Sequence, residues 1–232
     1  MTTPVFSFGR EASTLRQQLQ ALGTPERAAS AKKYLKSDLQ FFGCDTGSIR
    51  DTAKGFVAAW PGLTRAQLCA FVKHLWQSPV HELRSVGIAI LELRQEVLEP
   101  ADLPLLEELL QKSHSWAYVD WIAVHLVGDL VARAPKLKKE LRRWAGDPDF
   151  WLRRASLLAL LLPLRAGEGD FALFTELAVP MLPDPEEFIR KAIGWVLREA
   201  SKKQPGLVRA FVQQHGAAMS PLTRREATRR LD

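Results

Sequence analysis

Five times in this sequence a Ser, Thr or Asp stands directly before a proline and opens a run of helix-compatible residues. The runs are TPERAASAKKYLK from Thr24, SPVHELRSVGIAILELRQ from Ser78, DPDFWLRRASLLALLL from Asp147, DPEEFIRKAIGWVLREA from Asp184 and SPLTRREATRRL from Ser220. A side-chain oxygen at the N-cap satisfies an orphan backbone donor, and proline at the first helical position forfeits no hydrogen bond. Thr24 and Ser78 are therefore read as caps, with Pro25 and Pro79 as first helical residues, and the other three runs likewise. Helices announced in one way along a whole chain predict an array. Strand signals are nearly absent, since no hairpin dipeptide separates alternating runs and Leu, Ala, Arg, Glu and Gln outnumber the β-branched residues.

Helix starts are expected near residues 64, 79, 102, 116, 136, 149, 169, 185, 205 and 220. They pair into helix-turn-helix units of roughly forty residues, the period of HEAT-type repeats. The expected fold is all-α, a helical-repeat solenoid or curved bundle, read as one domain over residues 1–232 because no linker interrupts it. Such stacks expose a concave face suited to a long ligand.

With 47% hydrophobic residues the chain can bury a substantial core. Its longest apolar segment, ASLLALLLPL, is followed at once by RAGEGD and falls short of the roughly 18 residues of a membrane span. The opening MTTPVFSFGREAS lacks the pattern of a secretory signal, so the expected location is the cytoplasm, away from membranes. Cys44 and Cys69 form no CxxC pair and read as two reduced, half-buried thiols. The five histidines show neither HExxH nor HxH spacing, and neither metal nor cofactor is expected.

Charge is distributed unevenly. Residues 189–232 hold ten Lys/Arg against three Asp/Glu, a local balance of +7 within a chain total of +6. Residues 133–154 add eight basic against three acidic side chains. Such clusters suit a solvated helix face and suit a nucleic-acid surface at least as well. Within FIRKAIGWVLREASK, a helical rotation of about 100° per residue places Lys191, Trp195, Arg198 and Lys202 on one face. Ile189, Ile193, Val196 and Ala200 fall opposite. A tryptophan in an apolar chain is ordinarily core, but this one is turned away from its helix's aliphatic stripe into a row of cations. Aromatics interleaved with cations suit nucleic acid, which offers phosphates and flat apolar faces.

Two further residues stand out. In SHSWAYVDWIAVHLVGDLV the main apolar stripe is Val119, Ile122, Leu126 and Leu130, while Trp116 and Asp120, four apart, share a neighbouring face above Ala123 and Val127. Asp120 is either an aspartate answering the helix dipole beside a packing tryptophan, or a carboxylate set against an apolar wall where low dielectric strengthens its attraction for a developing cation. Spacing leaves both open. Arg154 falls among Phe150, Trp151, Leu158 and Leu161, opposite Asp149 and Ser156. A guanidinium among leucines needs a partner, which could be an internal carboxylate or a phosphate held bidentately. Arg153 reads as the ordinary surface arginine of the two.

Five segments in order, YLKSDLQFFG (34–43), SWAYVDWIA (115–123), DFWLRRASLL (149–158), FIRKAIGWVLRE (188–199) and SPLTRREATRR (220–230), resemble the DNA alkylation repair family, the HEAT-like-repeat DNA glycosylases of AlkD type. The resemblance spreads over nearly the whole chain. Residues 44–110 agree mainly in helical pattern. What it implies is a C-shaped solenoid whose basic concave groove holds duplex DNA, acting as a monomer without a cofactor. The implied reaction hydrolyses the N-glycosidic bond of cationic N3- and N7-alkylated purines, with the damaged base left in the duplex rather than taken into a pocket.

Position by position, Trp116, Asp120 and Trp195 match the family's catalytic residues, Arg154 its DNA-contacting arginine and Tyr34 a cleft tyrosine. Lys191, Arg198 and Lys202 join the expected DNA contacts through the basic stripe. Asp120 would stabilise an oxocarbenium-like sugar and orient a water, with the tryptophan faces favouring positive charge. The chain departs from the family at Ala117 and Tyr118, inside the W-x-x-V-D element, which bears on substrate range. Two other classes remain in view, a noncatalytic DNA binder and a protein-binding helical scaffold.

Overall fold

The computed structural model describes residues 5–231, which form fifteen α-helices, short 3₁₀ turns, one π-helical stretch and no strand beyond an isolated bridge between Gln40 and Val80. The all-α expectation holds. Helices begin within about two residues of the expected starts: 65, 81, 103, 116, 138, 150, 171, 187, 205 and 221. No helix among the described residues is long and apolar enough to cross a membrane. By internal contacts the chain divides into two compact units, one ending at Leu105 and one beginning at Leu106.

The first unit contains α1 (Phe8–Leu22), α2 (Pro25–Leu35), α3 (Thr46–Ala59), α4 (Arg65–Trp76) and α5 (His81–Leu93). Helix α5 is its axis, buried from Glu82 to Leu91 except at Arg84, with α3 and α4 packed against it. A helix apolar nearly all round must be surrounded. Phe56 stacks on Phe71 at 5.0 Å, and Phe6 closes that cluster edge-on against Trp60 at 5.0 Å. By contrast α2, which carries Tyr34, buries none of its residues.

Glu82, in the first turn of α5, is 1% exposed. Its carboxylate accepts the backbone N–H groups of Phe42 at 3.0 Å, Gly43 at 2.7 Å and Cys44 at 3.3 Å, pinning the α2–α3 connection to α5. Successive backbone donors make an anion-binding concavity, and here the anion is the protein's own. Cys44 and Cys69 are free and half-buried, and burial, with nearby carboxylates, pushes each thiol up to about 11.

The second unit contains most of α6 (Leu103–Gln111), then α7 (Trp116–Trp121), which runs through a π-helical stretch (Ile122–Val127) into α8 (Gly128–Arg133). There follow α9 (Lys138–Ala145), α10 (Phe150–Leu158), α11 (Leu161–Ala166), α12 (Phe171–Ala178), α13 (Glu187–Ala200), α14 (Pro205–His215) and α15 (Pro221–Thr228). Helix α10 is the hub, touching α7, the π-helical stretch, α9, α12 and α13. Its residues from Trp151 to Leu158 are buried apart from Arg153. Each fully buried leucine there contributes about 2 kcal/mol, so the hub is stiff.

Ser156, opposite Arg154 on this helix, is buried as well, with its hydroxyl donated to the Arg153 carbonyl at 2.7 Å. One expectation about the helix is corrected. Arg153 is not a surface residue. It lies half-buried, donating to Asp184 at 3.0 Å and to the carbonyls of Asp147 and Pro148 at 2.8 and 3.0 Å.

The proline-led starts also divide. Thr24 and Ser220 cap their helices as read, accepting from the backbone N–H three residues on. Ser78, Asp147 and Asp184 instead accept from the N–H two residues on, those of Val80, Asp149 and Glu186. That bond closes a turn rather than a helix. The helices then begin at His81, Phe150 and Glu187. At Val80 the cause is tertiary, because Gln40 donates to Pro79 and accepts from His81, holding Val80 extended.

Candidate functional site

The chain enters α7 through His114, a non-glycine residue in the left-handed region at φ 46°, with Ser115 extended behind it. This turn delivers Trp116, half-buried, to the start of the helix, and Asp120 follows one turn later on the same face. Beneath them Val119, Ile122, Ala123, Leu126, Val127 and Leu130 are all fully buried. The apolar wall behind the carboxylate is therefore present.

Asp120 is not answering a helix dipole. Its two oxygens accept from Nε and Nη2 of Arg154 at 2.7 and 2.8 Å, a bidentate pair between α7 and α10. Burial pushes the Asp120 carboxyl above the usual carboxylate range, and the hydrogen bonds and charge of Arg154 pull it partly back. The Asp120 side chain retains 16% of its exposure while that of Arg154 retains 6%. One partner is sealed and the other still reaches solvent.

The third nitrogen of Arg154, Nη1, donates to the backbone carbonyl of Phe188 in the first turn of α13. The Phe188 ring lies 5.8 Å from the guanidinium carbon and joins a cluster with Trp151 at 5.0 Å and Phe150 at 6.1 Å. Arg154 thus ties together α7, α10 and α13. Of the two partners left open by its position among leucines, the structure has the carboxylate, and the fork a phosphate would take is occupied. Losing one member of such a buried pair typically destabilises a protein by about 3–5 kcal/mol.

Phe188 and Trp195 are seven apart on α13 and share a face, so the second tryptophan stands two turns along from the carbonyl that Arg154 holds. The helix is amphipathic as expected: Ile189, Ile193, Val196 and Ala200 are fully buried, while Lys191, Trp195, Arg198 and Lys202 are exposed or half-buried. Lys202 lies in the turn beyond the helix end. Each cation of this stripe has a carboxylate partner. Lys191 pairs with Glu187 at 2.6 Å, Arg198 with Glu226 of α15, and Lys202 with the buried Glu199.

Trp116, Asp120, Arg154 and Trp195 thus all lie in the second unit, on α7 and α13 and on α10, which packs against both. Tyr34 lies in the first unit, 71% exposed at the end of α2. Sequence reading missed Phe188, whose signal was its seven-residue spacing from Trp195. It also missed Glu187 and Glu199, which stand four and three residues before the lysines they neutralise.

A family model described as "DNA alkylation repair enzyme" matches residues 15–231, through both units. Among solved structures, a predicted DNA alkylation repair enzyme from Enterococcus faecalis is similar at 24% identity and TM-score 0.81, over 90% of this chain and 96% of that one. AlkD2 from Streptococcus mutans is similar at 14% identity and TM-score 0.70, over 97% of this chain and all of its own. Smu.31 from Streptococcus mutans UA159 follows at 15% identity and TM-score 0.66, with 97% and 100% covered. At these identities the likeness is one of fold. No curated protein sequence gives a significant match.

Proposed function

The chain belongs to the family of DNA alkylation repair enzymes, and from that premise we propose that it is an alkylpurine DNA glycosylase. It hydrolyses the N-glycosidic bond of N3- and N7-alkylated purines in duplex DNA, leaving the damaged base in the helix. The observation that carries this reading is Asp120, a carboxylate backed by apolar side chains, held by a sealed arginine and still open along one edge.

Alkylation at these positions makes the purine cationic and a good leaving group, so little general-acid help is needed. Positive charge develops on the sugar, and a carboxylate stabilises it. At an effective dielectric of 20, a cation 4 Å from the carboxylate gains about 4 kcal/mol, and the guanidinium about 7 Å away takes back about 2. The remaining ~2 kcal/mol corresponds to roughly 30-fold in rate. Orienting the attacking water adds to that. Trp116 and Trp195 offer π faces to the sugar and backbone, which favour the same charge. Arg154 acts through Asp120, fixing both oxygens and anchoring the helix that carries Trp195.

Release of 7-methylguanine or 3-methyladenine from alkylated duplex DNA, with protein in excess, tests the proposal. Wild type is expected to release base and Asp120→Asn to be severely impaired. No release by wild type would sink the catalytic reading, and full activity in Asp120→Asn would remove Asp120 from the site.

The occupied fork of Arg154 favours one second reading, a DNA binder in which the Asp120–Arg154 pair is purely structural. It predicts salt-sensitive duplex binding with no base release by any variant.

A further inference from the structure

The cations flanking Trp195 are all answered by the protein's own carboxylates, and the adjoining helix is not. Arg224 and Arg225 on α15, and Arg229 and Arg230 just past its end, are exposed, and none has a carboxylate partner among the described residues. Arg225 in the last turn and Arg229 at the C-cap bring this charge to one end of the helix. A cluster of exposed, unneutralised cations has the character of a binding surface for an anionic polymer.

Its placement is fixed. Helix α15 lies so close to α13 that a Cβ added to Gly194, the residue before Trp195, would come within 2.7 Å of the Glu226 Cβ and 3.1 Å of the Thr223 carbonyl oxygen. Thr223 donates its hydroxyl to the Arg190 carbonyl at 3.2 Å, and Glu226 takes Arg198. The segment after α15 is held as well, because Arg209 donates to the Leu231 carbonyl at 2.7 Å. Arg198 is less basic than an ordinary arginine, through burial first and then, against the opposing charge of Glu199, through the nearby charges of Arg229 and Arg230. Arg229 and Arg230 therefore lie close to Arg198, the cation one turn along from Trp195 on α13.

We propose that Arg224, Arg225, Arg229 and Arg230 form the phosphate-binding edge of the second unit and seat one strand of duplex DNA next to Trp195, in place of the Lys191, Arg198 and Lys202 stripe. Four residues of helix span about 6 Å, roughly two phosphate steps of about 3.4 Å along the duplex axis. The arginines would grip the strand in a sequence-independent way. The inference rests on the DNA-repair reading above and specifies where that DNA is held.

The test is fluorescence anisotropy of the full chain on an undamaged labelled duplex between 50 and 200 mM salt. Replacing all four arginines by Gln is expected to weaken binding at least about 30-fold and to reduce the slope of log affinity against log salt by about three to four, near 0.9 per lost phosphate contact. The pair Lys191→Gln and Lys202→Gln is expected to change affinity less than threefold. Replacing the four arginines by Lys should retain the salt slope, which separates charge from folding, with helix content followed by circular dichroism.

An arginine-to-Gln variant within twofold of wild type, with an unchanged slope, overturns the inference. So does an equal loss in the Lys191/Lys202 variant, or loss in the arginine-to-Lys variant with helix content intact. Wild type that binds steeply but releases no base sinks only the glycosylase reading. Wild type with no affinity for duplex at 50 mM salt removes both.

Discussion

Glu82 in the first unit and Asp120 in the second are both carboxylates brought in from sequence-distant partners, and they are satisfied in opposite ways. Glu82 takes three backbone N–H groups, neutral donors that cannot turn away, and is 1% exposed. Asp120 takes a single guanidinium and keeps 16% of its side-chain exposure. A carboxylate closed by the backbone holds a fold together. One held by a side chain, with an edge left open, has capacity to spare for a second cation. The difference separates a structural acid from an available one inside the same protein.

The widest separation should appear in turnover. Asp120→Asn is expected to lower single-turnover base release by about 10²–10³-fold, the range for losing a preorganised electrostatic contact, while Glu82→Gln leaves the rate constant of the folded protein within about twofold. Comparable losses in both would erase the distinction. The pH dependence sharpens it. Burial raises the Asp120 carboxyl above its ordinary 3.8, so the ionised, active form is gained as pH rises through a value higher than 3.8, and the acid limb of the rate profile should lie above that of a free aspartate.

Stability should depend on Glu82 even though turnover does not. Glu82→Ala leaves three backbone donors unpaired at about 1–3 kcal/mol each before relaxation. A loss of about 3 kcal/mol in urea unfolding is expected, and less than 1 would show that water replaces the carboxylate.

The neighbouring His81 makes the first unit acid-sensitive. Burial lowers its imidazole from 6.5 to about 4, so the native state holds it neutral while the unfolded chain protonates it. Its contribution is complete above pH 6.5 and is lost as pH falls toward 4, about 2 kcal/mol between pH 8 and pH 5. His81→Phe should flatten that part of the stability profile. The smallest effect is expected at the entrance to α7, where His114→Gly relieves a left-handed backbone at φ 46° but enlarges the unfolded ensemble. A net gain of about 0.5 kcal/mol, with unchanged base release, is expected by thermal unfolding.

What could be read beforehand followed from local periodicity. The shared face of Trp116 and Asp120, the burial of Ile189, Ile193, Val196 and Ala200, and the caps at Thr24 and Ser220 all depend on residues within one or two helical turns. The misread starts at Ser78, Asp147 and Asp184 show the limit. A Ser or Asp before proline is equally able to close a two-residue turn, and at Val80 the choice is made by Gln40, far away in sequence. Arg153 and Arg154 are adjacent, and their partners Asp184 and Asp120 lie 31 and 34 residues away on opposite sides, so no spacing rule could distribute them. The basic stripe around Trp195 was legible as geometry and overstated as charge, because Glu226 reaches it from another helix.

The π-helical stretch between Ile122 and Val127 sets the direction in which the candidate site faces. Downstream of it, Gly128 is fixed, since a Cβ there would come within 2.8 Å of the Ala159 carbonyl oxygen. Upstream stand Trp116 and Asp120. A π turn carries about one residue more than an α turn. Were the stretch to wind as ordinary α-helix with all its residues kept and Gly128 unable to move, Asp120 would swing about 100° around the helix axis, away from Arg154. Removing one residue as the stretch returned to α-helix would instead leave the carboxylate facing as it does. The wide turn thus works as a register device, absorbing one residue of chain so that the carboxylate still meets its arginine.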